Sequence, residues 1–412
     1  MKKYAGILLS VGMFFMIVAA FYYLKSMLQL PEEDAIRITF DFGSPAKNRI
    51  AVLYFNNSSA DPADEYLSDG LTEDIITRLS KLDGLSVASL MDVRAYKNAP
   101  VTTKQIGEDL NVNAVLEGSV RRSGTIILVN ALLIDVATGA NIWAERYERQ
   151  IDIEDIFGLQ NEIATKIVQA AKLNLTQHDR MTLAERPTVS VDAYEYYLKG
   201  KYMAMSLDLE ANWVAIEMFR KAVEIDPQFA ESYAGLGDAL ARRYFLLETD
   251  DPAWLESAEK EIQKSLAIHP ELAEAYQALG YIYMNKNTYE KALEAYTKAV
   301  QLKPEFLEAR IGLGECYAFL GQYDPALLHL QKALQMNPAY SYIYYAIAGV
   351  HVRNNQTESA IMWLEKAVQH GFDHFDYLAS DPVFDPIRED SKYLEFLKQH
   401  DPSTGDISNK QS

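Results

Sequence analysis

A tandem repeat in the second half of the chain decides the fold. Residues 271–304 are ELAEAYQALGYIYMNKNTYEKALEAYTKAVQLKP, and residues 305–338 are EFLEARIGLGECYAFLGQYDPALLHLQKALQMNP. Both segments have 34 residues and both end in proline. Within each segment apolar residues recur at helical spacing, and the proline ends the second of two helices. The repeat therefore predicts stacked pairs of antiparallel helices.

The same pattern continues on both sides of this stretch. Pro227 and Pro270 are 43 residues apart, and we expect the surplus over one period in a loop near Leu246–Asp251. Residues 339–372 keep the apolar positions without the final proline, and a weaker unit precedes Pro227. The sequence thus predicts about five units over residues 192–372, which is enough to bury a continuous core.

Small residues recur where the two helices of a pair must approach each other closely. They include Gly280 and Ala292 in one unit and Gly314 and Ala326 in the next. With the 34-residue period, these strings closely resemble tetratricopeptide repeats. The resemblance implies an all-α superhelix whose concave surface suits peptides or partner helices.

A different pattern occupies residues 49–176. Ile50–Phe55 is a short apolar run typical of a buried strand, and Leu67–Leu82 carries apolar residues every three or four positions, as a helix does. Thr125–Val136 and Asn141–Arg149 indicate a hairpin. The full order is strand, helix, strand, two helices, three strands and helix. It predicts a mixed α/β domain.

Several strings of this domain carry a second resemblance. They are Ile50–Phe55, Tyr66–Ile75, Leu116–Arg122, Leu133–Asp135, Ala137–Gly139 and Trp143–Tyr147. The domain resembles the one found in bacterial TolB-like and FlgO-like proteins, and beside tetratricopeptide repeats in adenylate cyclases and CadC-like regulators. Tyr54 departs from the family, which usually has proline there. The resemblance implies a non-catalytic accessory domain and does not imply its ligand.

An uncharged run of 21 residues, Tyr4–Leu24, lies near the start of the chain. As a helix it would span ~30 Å, so we expect a single-pass signal anchor, followed by a tether over residues 25–48. Lys2 and Lys3 favour a bacterial inner-membrane protein with its soluble part in the periplasm. The charge margin is small, so the cytoplasmic side stays open. Cleavage after the small residues Val18–Ala20 is the alternative to an anchor.

Three shorter segments complete the predicted organisation. Residues 177–191 are expected to form a linker, residues 373–400 a capping helix that ends the solenoid, and residues 401–412 a disordered tail. The predicted fold class is therefore multidomain: an N-terminal transmembrane helix, a mixed α/β domain and an all-α tetratricopeptide superhelix.

Composition excludes some classes of function. The chain of 412 residues has 39 Lys and Arg against 58 Asp and Glu, a formal net charge of −19. A nucleic-acid partner needs a basic face, so none is expected. The single cysteine, Cys316, excludes a disulfide framework within the chain and a multi-cysteine metal site. We expect it to be a buried small residue of a repeat helix.

No motif of a known catalytic centre is present in the sequence. Gly235–Gly237 and Gly312–Gly314 mimic half a dinucleotide-binding loop, but both occupy leucine–glycine positions of the repeats, so packing explains them. Asp69, Glu73 and Asp74 are expected to favour a helix N-terminus through its dipole. We predict no enzyme, no catalytic residue, no cofactor and no metal.

The first helix of each unit is expected to line the concave surface. Transferring the family's groove positions one unit at a time gives Glu231 and Asp238; Glu274, Gln277 and Tyr281; Glu308, Ile311 and Glu315; and Tyr342, Tyr345 and Arg353. The set is acidic at one end and aromatic at the other. It lacks the lysine and asparagine clamp that some relatives use for a C-terminal carboxylate. The expected occupant is a basic, partly apolar protein segment, and a merely solvated acidic face is the alternative.

Together these features predict a non-enzymatic, membrane-anchored scaffold that binds partner peptides through the repeat groove. A sensory or regulatory component is the alternative, because the α/β domain resembles accessory regions of adenylate cyclases and CadC-like proteins. Such a component would act through a separately encoded protein. The sequence does not indicate an oligomeric state.

Overall fold

The computed structural model describes residues 48–401, except 83, 174, 207 and 248–250, and these residues lie in one compact unit. The expected anchor (4–24), nearly all of the tether (25–48) and the tail after Asp401 lie outside the described residues. Within the described part, no helix combines the length and the hydrophobicity needed to cross a bilayer.

The first described domain is built on one mixed sheet. Its strands are β1 (Arg49–Val52), β2 (Asn56–Asn57), β3 (Ser86–Val87), β4 (Ala114–Ser123), β5 (Ile126–Asp135) and β6 (Asn141–Gln150). The spatial order is β3-β1-β4-β5-β6, and β2 pairs with β4 as an interrupted continuation of β1. β1 runs parallel to β3 and β4, whereas β4, β5 and β6 form an antiparallel meander.

Apolar residues in register build the inner face of this sheet. Leu116 lies opposite Leu133 and Val120 opposite Val129, and all four are buried. The turn between β5 and β6 contains Gly139 at φ 69°, a left-handed conformation that glycine adopts without steric cost. These local patterns are why the sequence predicted the hairpin within a residue or two of its observed ends.

Five helices cover the sheet: α1 (Glu65–Ser80), α2 (Leu90–Arg94), α3 (Thr103–Asp109), α4 (Ile153–Ala170) and α5 (Gln177–Ala184). α1 and α4 pack against each other and against the sheet, and their apolar faces bury Ile75, Leu79, Ile163 and Ile167. The mixed α/β domain is confirmed. Its observed order matches the predicted one, with β2 as a short addition.

The segment expected as a linker, residues 177–191, is partly folded. α5 begins with a capping box in which Thr176 and Asp179 bond each other's backbone N–H, and Leu183 is buried in the domain core. Arg78 holds the end of this helix by donating to the carbonyls of Leu183 and Glu185. The α/β domain therefore extends beyond residue 176.

Five pairs of helices follow. They are α6 (Val191–Ala204) with α7 (Leu209–Ile225), α8 (Ala230–Leu246) with α9 (Ala253–Ile268), α10 (Ala273–Asn285) with α11 (Tyr289–Leu302), α12 (Leu307–Phe319) with α13 (Tyr323–Met336), and α14 (Ser341–Arg353) with α15 (Thr357–Gln369). We number these pairs units 1 to 5. Each first helix packs on the first helix of the next unit, so the first helices together line one side of the array.

Proline and the left-handed turns set the boundaries of the units. His269, Lys303 and Asn337 each precede a unit-ending proline and each have ψ of 89°, because a proline excludes the helical conformation from the residue before it. Between the two helices of a unit, Asn287 and Gly321 occupy equivalent turn positions with φ of 53° and 71°. The 34-residue period of the sequence therefore reflects backbone conformations that recur once in each unit.

The recurring glycines of the repeats face a large residue of their own or of the neighbouring unit. Tyr296 on α11 is wedged between Gly280 and Gly312; a Cβ at these two positions would lie 2.6 Å and 2.4 Å from its ring. Gly312–Gly314 lies within α12, and Gly235–Gly237 lies within α8. Helix packing therefore explains both glycine pairs, as expected.

The surplus residues of unit 2 are not confined to a loop. α8 has 17 residues against 13 in α10, and α9 has 16 against 14 in α11. The expectation of a loop insertion near Leu246–Asp251 is therefore wrong in part, because most of the surplus lengthens the two helices. The extra turn of α8 ends at Leu246.

The cap, residues 373–400, is more than one helix. It consists of α16 (Phe375–Ser380), a 3-10 helix over Pro382–Ile387 and α17 (Ser391–His400). Asp381 and Asp390 start the last two elements by accepting backbone N–H groups, so the chain turns at each of them. Phe384 from the 3-10 segment is fully buried.

Candidate functional site

The acidic motif of α1 lies at a junction with the first repeat helix, α6. Glu73 pairs with Lys201 at 2.6 Å and accepts a hydrogen bond from the Tyr54 hydroxyl at 3.2 Å. Asp74 accepts hydrogen bonds from the Tyr194 hydroxyl and from Gln160. The expectation that these carboxylates favour a helix N-terminus is wrong, because α1 begins at Glu65, about two turns earlier.

Burial and charge act together at this junction. Burial alone would lower the pKa of Lys201, but the charges of Glu73 and its neighbours raise it well above the ordinary value. Gly70 lets α6 approach, since a Cβ there would lie 2.5 Å from Leu198. Asp69 is bound by Lys97 at 2.6 Å. The motif holds two parts of the chain together, and each of its carboxylates has a partner.

The groove, which we define as the surface formed by α8, α10, α12 and α14, carries all eleven residues proposed from the sequence. They are Glu231 and Asp238 on α8; Glu274, Gln277 and Tyr281 on α10; Glu308, Ile311 and Glu315 on α12; and Tyr342, Tyr345 and Arg353 on α14. These helices contact one another in succession, so the structure brings the residues onto one surface.

Two of the proposed residues are buried in the structure. Ile311 is 5% exposed and Tyr345 is 4% exposed. The Tyr345 ring lies 5.0 Å from that of Phe372, at the end of unit 5, and 5.2 Å from that of Phe384 in the cap. Sequence positions alone could not show this, because the covering residues belong to other elements.

Basic residues outside the proposed set neutralise part of the groove. Arg242 donates to Asp238 Oδ2 at 2.6 Å, and Lys303 pairs with Glu274 at 3.1 Å. Burial alone would raise the pKa of Glu274, but the charge of Lys303 lowers it to about 2. Sequence reasoning missed both cations. Arg242 was detectable as the residue four positions after Asp238, a spacing that pairs side chains on a helix.

Other carboxylate oxygens of the groove remain without a cation. Asp238 Oδ1 is buried and has no hydrogen-bond partner among the described residues. Glu315 accepts a hydrogen bond from the Tyr342 hydroxyl at 2.7 Å, but no cation contacts it within the described part of the chain. Burial raises the pKa of Glu315 to about 7 and that of Glu231 to about 7. The middle of the groove can therefore accept positive charge.

The α/β domain influences the acidic end of the groove. The charge of Lys81, which follows α1, lowers the pKa of both Glu231 and Glu274. Burial raises the pKa of Asp92 to about 6, and the charge of Glu308 raises it further. The charges of the α/β domain and those of units 2 to 4 thus influence one another.

The aromatic end of the groove is built by stacked rings. Tyr342 stacks on Tyr345 at 5.6 Å, and the Tyr345 hydroxyl donates to Asp381 of the cap. Arg353 lies over the Phe319 ring at 3.7 Å and lines a cavity of about 260 Å³ between the turn of unit 4 and the 3-10 segment of the cap. Burial lowers the pKa of Arg353.

Family comparisons match two segments of the array. Residues 320–380 match the tetratricopeptide repeat model, and residues 281–342 match the model described as regulator of microtubule dynamics protein 1-3. Neither match reaches the α/β domain, whose resemblance to TolB-like domains stays a prediction.

A curated relative extends the comparison. The chain is 40% identical over 192 residues to a protein of Rhizobium meliloti (strain 1021) named putative adenylate cyclase 3. The match covers 47% of this chain and 32% of that protein. The chain therefore matches about a third of the relative's length.

Solved structures of repeat proteins also resemble the chain. YrrB, titled a TPR protein with an unusual peptide-binding site, is 25% identical with a TM-score of 0.33, over 46% of this chain and 91% of YrrB. PilF of Pseudomonas aeruginosa is 20% identical with a TM-score of 0.39, over 51% of this chain and 92% of PilF. From the 34-residue helix pairs and the family match at residues 320–380, the second half of the chain contains tetratricopeptide repeats.

Proposed function

We propose that the groove binds a segment of a partner protein, and that this segment places a lysine or arginine between Asp238 and Glu315. One observation carries the proposal: Asp238 Oδ1 is buried without a hydrogen-bond partner among the described residues. A buried carboxylate oxygen without a partner costs about 1–3 kcal/mol, which a basic ligand would recover. The scaffold function is non-enzymatic.

Both carboxylates act on the same part of the groove. Asp238 is on α8 and Glu315 is on α12. Burial raises the pKa of Tyr281 on the intervening α10 to about 12; the charge of Arg242 lowers it, and the charges of Asp238 and Glu315 raise it. A cation beside Tyr281 would meet both carboxylates and the face of an aromatic ring, a combination that favours ammonium and guanidinium groups. Lys303 pairs with Glu274, and Arg242 pairs with Asp238 through Oδ2, so the acceptors left for a basic ligand are Asp238 Oδ1 and the carboxylate of Glu315.

Selection of random peptides on the full chain tests the proposal. We expect lysine and arginine to be enriched among the bound peptides. Asp238→Asn and Glu315→Gln should each weaken binding of the selected peptides about tenfold or more, because each removes a carboxylate that can pair with the basic residue of the ligand. Glu294→Gln is the matched control, since Glu294 is exposed on α11. Equal binding by all four proteins would refute the proposal.

We further propose that residues 4–24 anchor the chain in a bacterial inner membrane, with the soluble part in the periplasm. The support is the uncharged run itself with its flanking lysines, and these residues lie outside the described ones. A phosphatase that is active only outside the cytoplasm, fused after Ser412, should be active. Fluorescence from a reporter that matures only in the cytoplasm would place the groove on the other side.

We propose a regulatory role in cyclic-nucleotide signalling as the second candidate. It is favoured by the 40% identity to a protein named putative adenylate cyclase 3, of which the chain matches about a third. In this role the chain would act on a separately encoded cyclase. Deletion of the gene should change the cellular cyclic-nucleotide level, and purified full chain should leave ATP unchanged. Turnover of ATP by the purified chain would contradict the non-enzymatic assignment.

A further inference from the structure

Tyr377 of the cap lies in the groove. Its ring is 5.7 Å from that of Tyr345 in unit 5 and 6.2 Å from that of Phe245 in unit 2. Burial raises the pKa of the Tyr377 hydroxyl, and the charges of Glu315 in unit 4 and Tyr281 in unit 3 raise it further. One side chain of the cap therefore contacts aromatic rings of units 2 and 5.

Phe245, the partner of Tyr377 in this contact, lies near the end of the long helix α8. Glu231, Asp238, Arg242 and Phe245 follow one another at helical spacing along α8, so Phe245 continues the groove-lining stripe. α10, α12 and α14 have 13 residues each, whereas α8 has 17, and Phe245 lies in its additional turn. The surplus in unit 2 thus places an aromatic ring opposite the cap.

The contact between Tyr377 and Phe245 lies at the surface, whereas other side chains of the cap are buried. Phe245 is 46% exposed and Tyr377 is 37% exposed, and their rings meet edge to face. By contrast, Phe384 is fully buried, and Asp381 accepts the hydroxyl of Tyr345. Tyr377 can therefore leave Phe245 while Phe384 keeps the cap on unit 5.

We propose that Tyr377 is an intramolecular plug of the groove, and that a partner displaces it with an aromatic side chain of its own. This inference rests on the proposed function, because it concerns access to the same surface. The displacing residue would stack between Phe245 and Tyr345, close to the basic residue that reaches Asp238 and Glu315. The partner segment thus carries an aromatic and a basic residue on one side.

Removing the plug tests the proposal. Tyr377→Ala should bind the peptides selected on the wild-type chain about tenfold more tightly, because no fraction of the groove is then occupied by the cap. Leu394→Ala is the control, since Leu394 is exposed on α17, which packs on α15. Unchanged or weaker binding by Tyr377→Ala would overturn the plug.

Locking the plug gives the opposite test. In a Phe245→Cys, Tyr377→Cys chain, a short bismaleimide should join the two new thiols, since the native Cys316 is buried. The cross-linked chain should bind the selected peptides at least tenfold more weakly than the same double-cysteine chain before cross-linking. Full binding after cross-linking would overturn the plug.

The two proposals fail in different ways. If selected peptides bind the wild-type, plug-free and cross-linked chains equally, the plug is wrong and the groove function stands. If the wild-type chain selects no peptides but Tyr377→Ala does, the plug is supported. If neither chain selects peptides, both proposals are rejected.

Discussion

Glu315 lies on the groove side of α12, where its carboxylate accepts a hydrogen bond from Tyr342. Burial raises the pKa of Glu315, and the charge of Asp381 raises it further. The charge of Arg353 lowers this pKa, although Arg353 does not pair with Glu315 directly. The net result of these effects is a pKa of about 7 for the Glu315 carboxyl group. Protonation of this single residue therefore changes the charge that a partner would meet.

This acid makes stability depend on pH in a defined direction. Burial raises the pKa of Glu315 from 4.5 to about 7. Between these values the folded chain holds a proton that the unfolded chain has lost, so the free energy of unfolding falls as pH rises through this window. Glu315→Gln removes this term. We expect the variant to be more stable than wild type by about 1–3 kcal/mol at pH 8 and equal to it at pH 4.

Denaturant titrations of both chains at pH 4, 6 and 8 measure the effect. Glu294→Gln, on the exposed face of α11, should follow wild type at every pH. A constant difference between Glu315→Gln and wild type across this range would show that Glu315 titrates normally.

Gly312 is a second single-residue determinant, because it leaves room for the ring of Tyr296. A Cβ there would lie 2.4 Å from the ring, and Gly280 closes the opposite side. Gly312→Ala should lower the free energy of unfolding by about 1–3 kcal/mol. Gly158→Ala, in α4 with open space around it, should be neutral or stabilising by up to about 1 kcal/mol. Equal effects of the two substitutions in urea unfolding would contradict this packing.

At the scale of the element, the boundaries of the helix pairs follow from local signals. A proline acts on the residue before it, and a left-handed turn needs glycine or asparagine. Both signals are visible in the sequence without knowledge of the neighbours. For this reason the boundaries of the units follow from the sequence. The extra turn of α8 carries no residue that marks it as helix or loop, so the sequence pattern does not show that the helix is longer.

The inter-helix turns give a prediction of their own. Gly321 has φ of 71°, and Asn287 and Asn355 hold equivalent positions with φ of 53° and 56°. Gly321→Asn should therefore cost little. Gly321→Ala should cost about 1 kcal/mol, because alanine lacks the side-chain amide that stabilises this conformation. Thermal unfolding of the two variants compares them directly, and a larger loss for asparagine would refute the argument.

Some side-chain contacts in the groove do not follow from the repeat pattern of the sequence. A 34-residue period predicts which residues of the first helices share a face, and the proposed groove residues lie on α8, α10, α12 and α14. Pairing of Glu274 with Lys303 and covering of Tyr345 by the cap are not fixed by that period. They depend on side chains that reach across from other elements, and no periodicity within one unit encodes them.

At the scale of the whole molecule, the α/β domain and the array meet through charged groups with low exposure. Glu73 and Asp74 on α1 contact Lys201 and Tyr194 on α6, more than a hundred residues later in the chain. The sequence showed the motif but not its partner, because the contact joins two separately patterned regions. The pattern of strands and helices over residues 49–176 predicts the fold of one side only.

This junction predicts that the two parts unfold together. Lys201→Met leaves the largely buried Glu73 without its cation, so we expect a loss of about 3 kcal/mol. We also expect α1 and α6 to exchange amide hydrogens at different rates, whereas in wild type they exchange together. Lys199→Met, which removes a more exposed pair with Glu195, should cost less than about 1 kcal/mol. Hydrogen exchange followed by mass spectrometry reads both helices in one experiment.

A second substitution separates charge from packing at the junction. If the loss in Lys201→Met comes from the unpaired carboxylate, adding Glu73→Gln should recover part of it, because the amide can still accept the Tyr54 hydroxyl and carries no charge. If the loss comes from the missing lysine stem, the double variant should be no more stable than the single one. Coupled exchange that persists in Lys201→Met would show that the apolar contact of Gly70 with Leu198 is sufficient to join the domain to the array.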